Sequence, residues 1–199
     1  MYNQFYHKGK VIRVKKLKKV LNAIVDSGKF SWIMAFFFSS MFLIENKWFG
    51  KGHLNAITEG AGMLDVNFFN PPAEIFNYLQ IIGQRGREAY LLLLLLDFCV
   101  IAALFLLQST FIIRFLRRLS LYESYEWLLV LPLIRAVADI VETVVMIINT
   151  SIYPTVVKPL MMLTTTATVV KWISFWAVIG VMLSLLALNL VKMMRKKLA

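Results

Sequence analysis

Three charged residues lie inside an otherwise apolar stretch of the chain. In LIRAVADIVETVVM, Arg135, Asp139 and Glu142 recur at spacings of four and three, so a helix places them on one face. Asp97 and Lys171 interrupt two other apolar stretches. Carboxylates and cations in such positions are typical of groups that bind a charged ligand, act as acids and bases, or transfer protons. These five residues are therefore the first candidates for function.

The composition decides which elements must position these side chains. Of 199 residues, 59% are hydrophobic and 17% are charged, and the mean hydropathy is +0.70. Soluble proteins average roughly 45 to 50% apolar residues, so the chain is predicted to be an integral membrane protein. A helix needs about 20 apolar residues to cross about 30 Å of hydrocarbon. Four segments of the chain are long and apolar enough to be compared with that length. We therefore predict an all-α, four-helix transmembrane bundle, with spans at about residues 30–49, 90–115, 127–150 and 169–191.

The first apolar segment has a second interpretation, because a secretory signal peptide also follows a basic stretch. Here the basic stretch runs for nearly thirty residues. The apolar run then ends in LIENKWF, which is bulky and charged and offers no small-residue cleavage site. We therefore expect a retained helix.

Lysine and arginine residues are distributed unevenly between the two sides that four spans define. Fifteen of the 22 fall on the side of the termini, five fall on the opposite side, and two lie in or near the spans. The positive-inside rule then places both termini in the cytosol. The predicted location is a multi-pass protein of the plasma membrane or of an organellar inner membrane.

Residues 1–29 form a basic segment that precedes the transmembrane domain of residues 30–199. Apolar residues recur in it at spacings of three and four with lysines between them, which predicts an amphipathic helix on the membrane surface. A basic topology signal that happens to be helical is the alternative. The apolar positions are Val11, Val14, Leu17, Leu21 and Ile24.

The net charge of +11 predicts anionic lipid headgroups as partners at the cytosolic face. No aromatic-rich single-strand pattern and no zinc spacing favours nucleic acid.

The long connection of about residues 50–88 is expected to cap the bundle on the outer side. Pro71 and Pro72 begin a short helical pattern in it, and Gly83 is placed to end that helix. Asp65 and Arg87 give the loop side chains of both signs that face whatever lies beneath it.

The charged residues of the three later spans are predicted to lie at similar depths. At 1.5 Å per residue, Glu142 lies roughly 12 Å and Asp97 roughly 10 Å from the outer ends of their helices. Lys171 lies near the outer part of the fourth helix. The predicted ligand-binding residues are Asp97, Arg135, Asp139, Glu142 and Lys171, with Asp65 and Arg87 from the cap.

A purely structural role is the alternative for these charges. Arg135 pairs with Asp139 at i,i+4, and Lys171 reaches the outer interface with its long side chain. Asp97 is then protonated or bonded to a hydroxyl group. Such a network only fixes the register of the helices.

The order of several residues resembles that of a widespread group of small four-span membrane proteins of uncharacterised function. The layout is also loosely similar to EXPERA-domain proteins, the sigma-2-receptor and sterol-isomerase group. The second resemblance implies an acid-lined pocket for a sterol-like or amine ligand, whereas Arg135 and Lys171 suit a zwitterionic or anionic headgroup better. The first resemblance rests on Gly62, Met63, Leu64, Asp65, Gly83, Gly86, Arg87, Tyr90, Asp97, Asp139, Glu142, Tyr153, Pro154 and Lys171.

Three classes of function remain open. The first is a pocket, open to the outer side, that binds or acts on a lipid or other amphipathic ligand. The second is an accessory or scaffold subunit that pairs with a membrane protein partner, and the third is a proton or ion pathway, which would require a homo-oligomer. No nucleophile elbow, P-loop or zinc-protease motif identifies a catalytic residue. The chain has only two histidines, so no metal and no cofactor is predicted.

Overall fold

The computed structural model describes residues 16–64 and 67–198. The described residues form helices and no strands. Asp65, Val11 and Val14 lie outside the described residues, so the predictions that concern them stay predictions. The helices are α1 (Lys16–Asp26), α2 (Phe30–Glu45), α3 (Lys51–Ile57), α4 (Pro72–Ile81), α5 (Gly83–Leu119), α6 (Tyr122–Tyr125), a short 3-10 helix (Glu126–Leu129), α7 (Val130–Ser151) and α8 (Lys158–Leu198).

Two of the described helices, α5 and α8, are long and apolar enough to cross a membrane. The pair α1 and α2 passes the same test together, although the chain bends by 103° between them, so the number of candidate spans is two or three. This agrees with an integral membrane protein. The predicted number of four spans is not reached, because α2 alone has only 16 residues and α7 carries three charges in its 22 residues.

Both long helices extend beyond their predicted spans. α5 has 37 residues and α8 has 41, so each exceeds the roughly 20 residues that cross a bilayer. α8 begins at Lys158, immediately before Pro159, which suits a position near a helix N-terminus. α5 ends at Leu119, and the residue that follows, Ser120, has a left-handed φ of 63°.

α1 packs on the bundle with the apolar face that the sequence assigned to the membrane surface. Leu21 of that face, together with Val25 beside it, is buried in a cluster with Ile112, Ile113 and other side chains of α5. Polar contacts secure the same helix, since Arg117 forms an ion pair with Asp26 and donates a hydrogen bond to Asn22. Helical periodicity identified the apolar stripe of α1, but it did not predict that the stripe packs against α5.

The loop between α2 and α5 is tied to α8. The Thr165 hydroxyl donates to the Asn70 carbonyl at 2.5 Å, and the Trp172 indole nitrogen donates to the Asn67 carbonyl at 2.9 Å. α4 buries Ile75 completely, and Gly83, with φ of 64°, makes the turn into α5. This loop therefore lies against the part of α8 that carries Lys171.

Two apolar cores occupy the two ends of the bundle. We call the end where α5 and α8 finish and α7 begins the basic end, and the opposite one the loop end. The core of the loop end includes Leu54, Leu79 and Met146, and that of the basic end includes Ile112 and Leu185. On α7 and α8, a polar layer separates the two cores.

Gly86 allows a close approach at the loop end. A Cβ at this position would lie 2.7 Å from the Ile82 Cβ and 2.9 Å from the Thr58 Cγ2, whereas one at Gly180 would meet nothing within 4 Å. We predict that Gly86→Ala lowers the free energy of unfolding by about 1 to 3 kcal/mol, as overpacking does. Gly180→Ala should instead raise it by about 0.5 to 1 kcal/mol, because helical glycine is unfavourable.

Thermal unfolding of the purified variants in one detergent measures both changes. An equal shift of the two midpoints in the same direction would contradict the packing argument.

Candidate functional site

α7 exposes its apolar face and buries its charged face, which is the reverse of a surface helix in a water-soluble protein. Val137 is 52% exposed, while Asp139 two residues later is 4% exposed. Ile140 and Val144 also face outward, whereas Arg135 is buried. An apolar outer face and a charged inner face fit a helix surrounded by hydrocarbon, because lipid excludes charge. The sequence folds this way because α5 and α8 cover the charged stripe.

The four most buried charged side chains of the described residues pair with one another. Arg135 donates to the Asp139 carboxylate through Nη2, and the Lys171 amino group pairs with Glu142. Lys171 Nζ also lies 3.5 Å from Asp139 Oδ1, so the lysine joins both carboxylates. We call Arg135, Asp139, Glu142 and Lys171 the charge cluster. Within it, two positive charges balance two negative charges.

Hydroxyl groups complete the surroundings of the carboxylates. The Thr168 hydroxyl donates to Glu142 Oε1 at 2.6 Å, and this threonine is completely buried. The Thr143 hydroxyl donates to Asp97 Oδ2 at 3.0 Å. Because Thr143 follows Glu142 on α7, this contact places Asp97 of α5 at the level of the cluster, as the depth argument predicts. Asp97 is half-buried, so it is the most accessible carboxylate of the group.

The cluster is not saturated with hydrogen bonds. Arg135 is 4% exposed, yet its Nε and Nη1 atoms have no hydrogen-bond partner among the described residues. Gln108 Oε1 is likewise buried and without a partner there. Gln108 follows Asp97 by 11 residues, about three helical turns, so both lie on the same face of α5. A buried donor left unpaired costs about 1 to 3 kcal/mol, so an additional bound group would stabilise this site.

The register of the helices places Gln108 close to Arg135 along the bundle axis. α5 and α7 run antiparallel, with Asp97 beside Thr143. Arg135 precedes Thr143 by eight residues, about 12 Å, and Gln108 follows Asp97 by about 16 Å, so the two levels differ by about one helical turn. Donors and an acceptor without partners therefore occupy one region of the polar layer.

The residues predicted from the loop contribute differently. Arg87 donates to the Leu79 carbonyl at 2.9 Å, and its guanidinium stacks 4.2 Å from the centre of the Tyr153 ring. It precedes Asp97 by ten residues, about 15 Å along α5, so it lies outside the charge cluster. The structure gives Arg87 a role in joining α4, α5 and the loop before α8. Asp65 lies outside the described residues.

Sequence reasoning missed three polar residues of the site. Thr143 and Thr168 hold carboxylates, and Gln108 lies below them on α5. Gln108 could have been found from the sequence, because it shares a helical face with Asp97 in an otherwise apolar run. Thr168 could not have been found, since it is one of four threonines in TTTAT and only helix packing determines which of them contacts Glu142.

Four surface cavities have volumes of about 470 to 710 Å³. None of them is lined by a residue of the charge cluster or by Asp97. Among the described residues, no group of three or more His, Cys, Asp or Glu side chains is arranged to hold a metal ion. The charge cluster therefore lines none of these four cavities, and Asp97 is the half-buried carboxylate beside it.

No family model, curated protein or solved structure matches the chain. The resemblances to four-span and EXPERA-domain proteins therefore stay predictions. The geometry of the site is the basis for a functional proposal.

The bond between Thr168 and Glu142 can be tested against a matched control. Thr166 lies two residues away on α8, is exposed, and makes the same bond to the carbonyl four residues before it. We predict that Thr168→Val lowers the free energy of unfolding by about 1 to 3 kcal/mol, because a buried carboxylate loses a donor. Thr166→Val should change it by less than about 0.5 kcal/mol, as surface substitutions do.

Unfolding midpoints of both variants in the same detergent provide the measurement. Equal midpoints would mean that the hydroxyl bond to Glu142 contributes nothing.

Proposed function

We propose that this protein is a multi-pass membrane protein in which the charge cluster binds the polar group of a lipid or other amphipathic ligand. The observation that carries the proposal is the Arg135 guanidinium, buried with two donor nitrogens that have no partner among the described residues. Intramembrane ionisable groups are costly and mark functional sites by default. Oxygen acceptors on a ligand would satisfy these donors.

The charges suggest what the ligand carries. The cluster itself is balanced, and Asp97 adds one carboxylate at its edge, hydrogen-bonded to Thr143. Arg135 lies about 12 Å along α7 from the level of Asp97, so a ligand that complements both needs acceptor oxygens and a cationic group that are separated along the bundle axis. A zwitterionic amphipathic ligand of that length has this combination, and its apolar part would remain in the surrounding hydrocarbon.

Access is proposed to be lateral, from the side of α5. Asp97 is the half-buried carboxylate, while Arg135, Asp139 and Glu142 are almost fully covered. The loop between α2 and α5 is bonded to α8 at Thr165 and Trp172, so it covers the other side. This arrangement favours entry from within the bilayer.

Native mass spectrometry of the gently purified full chain, with lipid extraction, tests the ligand proposal. Wild type should carry one defined small molecule per chain. Arg135→Lys keeps the positive charge beside Asp139 but removes the guanidinium donors, and should reduce retention about tenfold or more, since hydrogen bonds to charged groups contribute about 1.5 to 3 kcal/mol. Arg85→Lys on the exposed surface of α5 is the control and should retain the ligand.

Two outcomes would reject the pocket. Wild type that carries no small molecule but co-purifies with one polypeptide would favour the accessory or scaffold subunit. Proton uptake by reconstituted vesicles, lost in Glu142→Gln without any bound molecule, would favour the proton pathway.

The four-span arrangement is part of the proposal, with α2, α5, α7 and α8 as spans and both termini on the same side. α7 counts as a span because its charges face α5 and α8 while its outer face is apolar. Its 22 residues extend about 33 Å, enough for the hydrocarbon core. The excess of basic residues on the side of the termini supports a cytosolic location for them.

Cysteine labelling tests whether α7 crosses the membrane. Tyr125 and Lys158 flank α7 and are exposed. In a Cys99→Ser background, a membrane-impermeant maleimide added to sealed, oriented vesicles should label only one of Tyr125→Cys and Lys158→Cys. Labelling of both from the same side would contradict the four-span arrangement.

A further inference from the structure

A second candidate site lies at the basic end, far along α5 from the charge cluster. A cavity of about 710 Å³ opens between the start of α2 and the last turns of α5. Three arginines and three phenylalanines line it, and none of these six residues is acidic. They are Phe30, Phe111, Arg114, Phe115, Arg117 and Arg118.

The three arginines point to an anionic ligand. Arg114 is followed by Arg117 and Arg118 at spacings of three and four, so the three side chains share one side of α5. Arg117 is already engaged, because it pairs with Asp26 and donates to Asn22. Arg114 and Arg118 make no side-chain hydrogen bond or ion pair with the described residues. Two guanidinium groups are therefore available to a ligand.

The aromatic side chains give the cavity an apolar wall. The Phe111 and Phe115 rings stack at 4.1 Å, and the Phe30 ring lies 4.5 Å from the Arg114 guanidinium carbon. A guanidinium stacked on a ring keeps its in-plane N–H groups free to bind phosphate oxygens. The same cavity thus offers apolar surface and phosphate-binding donors side by side.

The C-terminus of α5 repels a bound anion only weakly. A helix C-terminus carries roughly half a negative charge, whereas the cavity is lined by three arginines, of which only Arg117 is paired with a carboxylate. Toward the centre of α5, the polar residues Gln108, Ser109 and Thr110 are buried, and residues 100–107 beyond them are all apolar. A headgroup bound in the cavity would therefore lie one to two helical turns from an apolar stretch of α5.

From this geometry we infer a binding site for a lipid whose headgroup is a phosphate monoester, with the phosphate on Arg114 and Arg118 and the acyl chains along Phe111 and Phe115. A monoester carries about −1.5 to −2 charges and three acceptor oxygens, which suits two guanidinium forks. Headgroups with an ammonium group would bring a cation beside three arginines. The inference does not depend on the ligand of the charge cluster.

A neighbouring cavity of about 510 Å³ provides an internal comparison. It is lined by Lys192, Arg195 and Lys196 together with aliphatic residues, so it is also basic but contains only one arginine and no aromatic ring. Lysine binds phosphate as a point charge, without the bidentate geometry of arginine. Two substitutions in this second cavity remove as much positive charge from the basic end as two substitutions in the first cavity do, so they are the matched control.

Lipid retention in nanodiscs tests the site. The full chain is reconstituted in phosphatidylcholine with equal molar fractions of phosphatidic acid and phosphatidylserine, and bound lipids are counted by native mass spectrometry. Wild type should retain one phosphatidic acid per chain in preference to phosphatidylserine. Arg114→Gln with Arg118→Gln should reduce that retention about tenfold or more, as the loss of charge-assisted hydrogen bonds does. Arg195→Gln with Lys196→Gln should retain it as wild type does.

A charge-preserving variant keeps the test valid if the double glutamine variant does not fold. Arg114→Lys with Arg118→Lys leaves the net charge unchanged and should still lower the preference for phosphatidic acid, because the bidentate contacts are lost. The inference is overturned by equal retention of the two lipids, by equal losses in the two glutamine variants, or by inorganic phosphate binding as tightly as the lipid. Arg135→Lys should leave retention of phosphatidic acid unchanged, which separates this site from the charge cluster.

Discussion

The pairing of Asp139 with two cations is the interaction on which the central part of the structure depends. A charge in an apolar interior is tolerated only with a partner, and removal of one partner from a buried pair costs about 3 to 5 kcal/mol. Arg135 comes from the same helix, but Lys171 comes from α8. The position of α8 along α7 is therefore set by charge, and the bonds of Thr168 to Glu142 and of Asn149 to Thr164 follow the same register.

The same constraint explains the orientation of α7. Its charged face must be covered, so α7 lies against α5 and α8, and its Val and Ile side chains are left on the outside. In water such an outer face would be an exposed apolar surface, but in a bilayer it is the face that matches the solvent. The charges that remove α7 from the apolar candidate spans are thus the reason for its central position.

Predictions from the sequence were confirmed where helical geometry or the cost of burying charge allows only one arrangement. The spacing of Arg135, Asp139 and Glu142 allowed one face only, and hydrocarbon required that face to be buried. The rise per residue was enough to bring Asp97 to the same level. These predictions use helical geometry and the cost of burying charge, and neither depends on details of packing.

Predictions that depended on tertiary contacts were less successful. Periodicity found the apolar stripe of α1 but not its packing on α5, because lipid and protein select the same residue types. The stacking of Arg87 on Tyr153, a partner 66 positions away in the sequence, was not predicted either, while its predicted role in ligand binding stays a prediction. Thr168 is distinguished from neighbouring threonines only by the helix it faces. Such partners are determined by folding and leave no local pattern.

Stability alone does not account for the composition of the polar layer. Buried ion pairs are often neutral or unfavourable compared with apolar residues of similar volume. Here the pairs are accompanied by further costs, because Arg135 Nε, Arg135 Nη1 and Gln108 Oε1 are buried without partners among the described residues. A network that served only to fix the helix register would need the bonds between α7 and α8. It would not need Arg135, whose guanidinium donates to a described residue only through Nη2. Arg135 Nε and Nη1 have no partner among the described residues, and the polar group of the proposed ligand would supply acceptors for them.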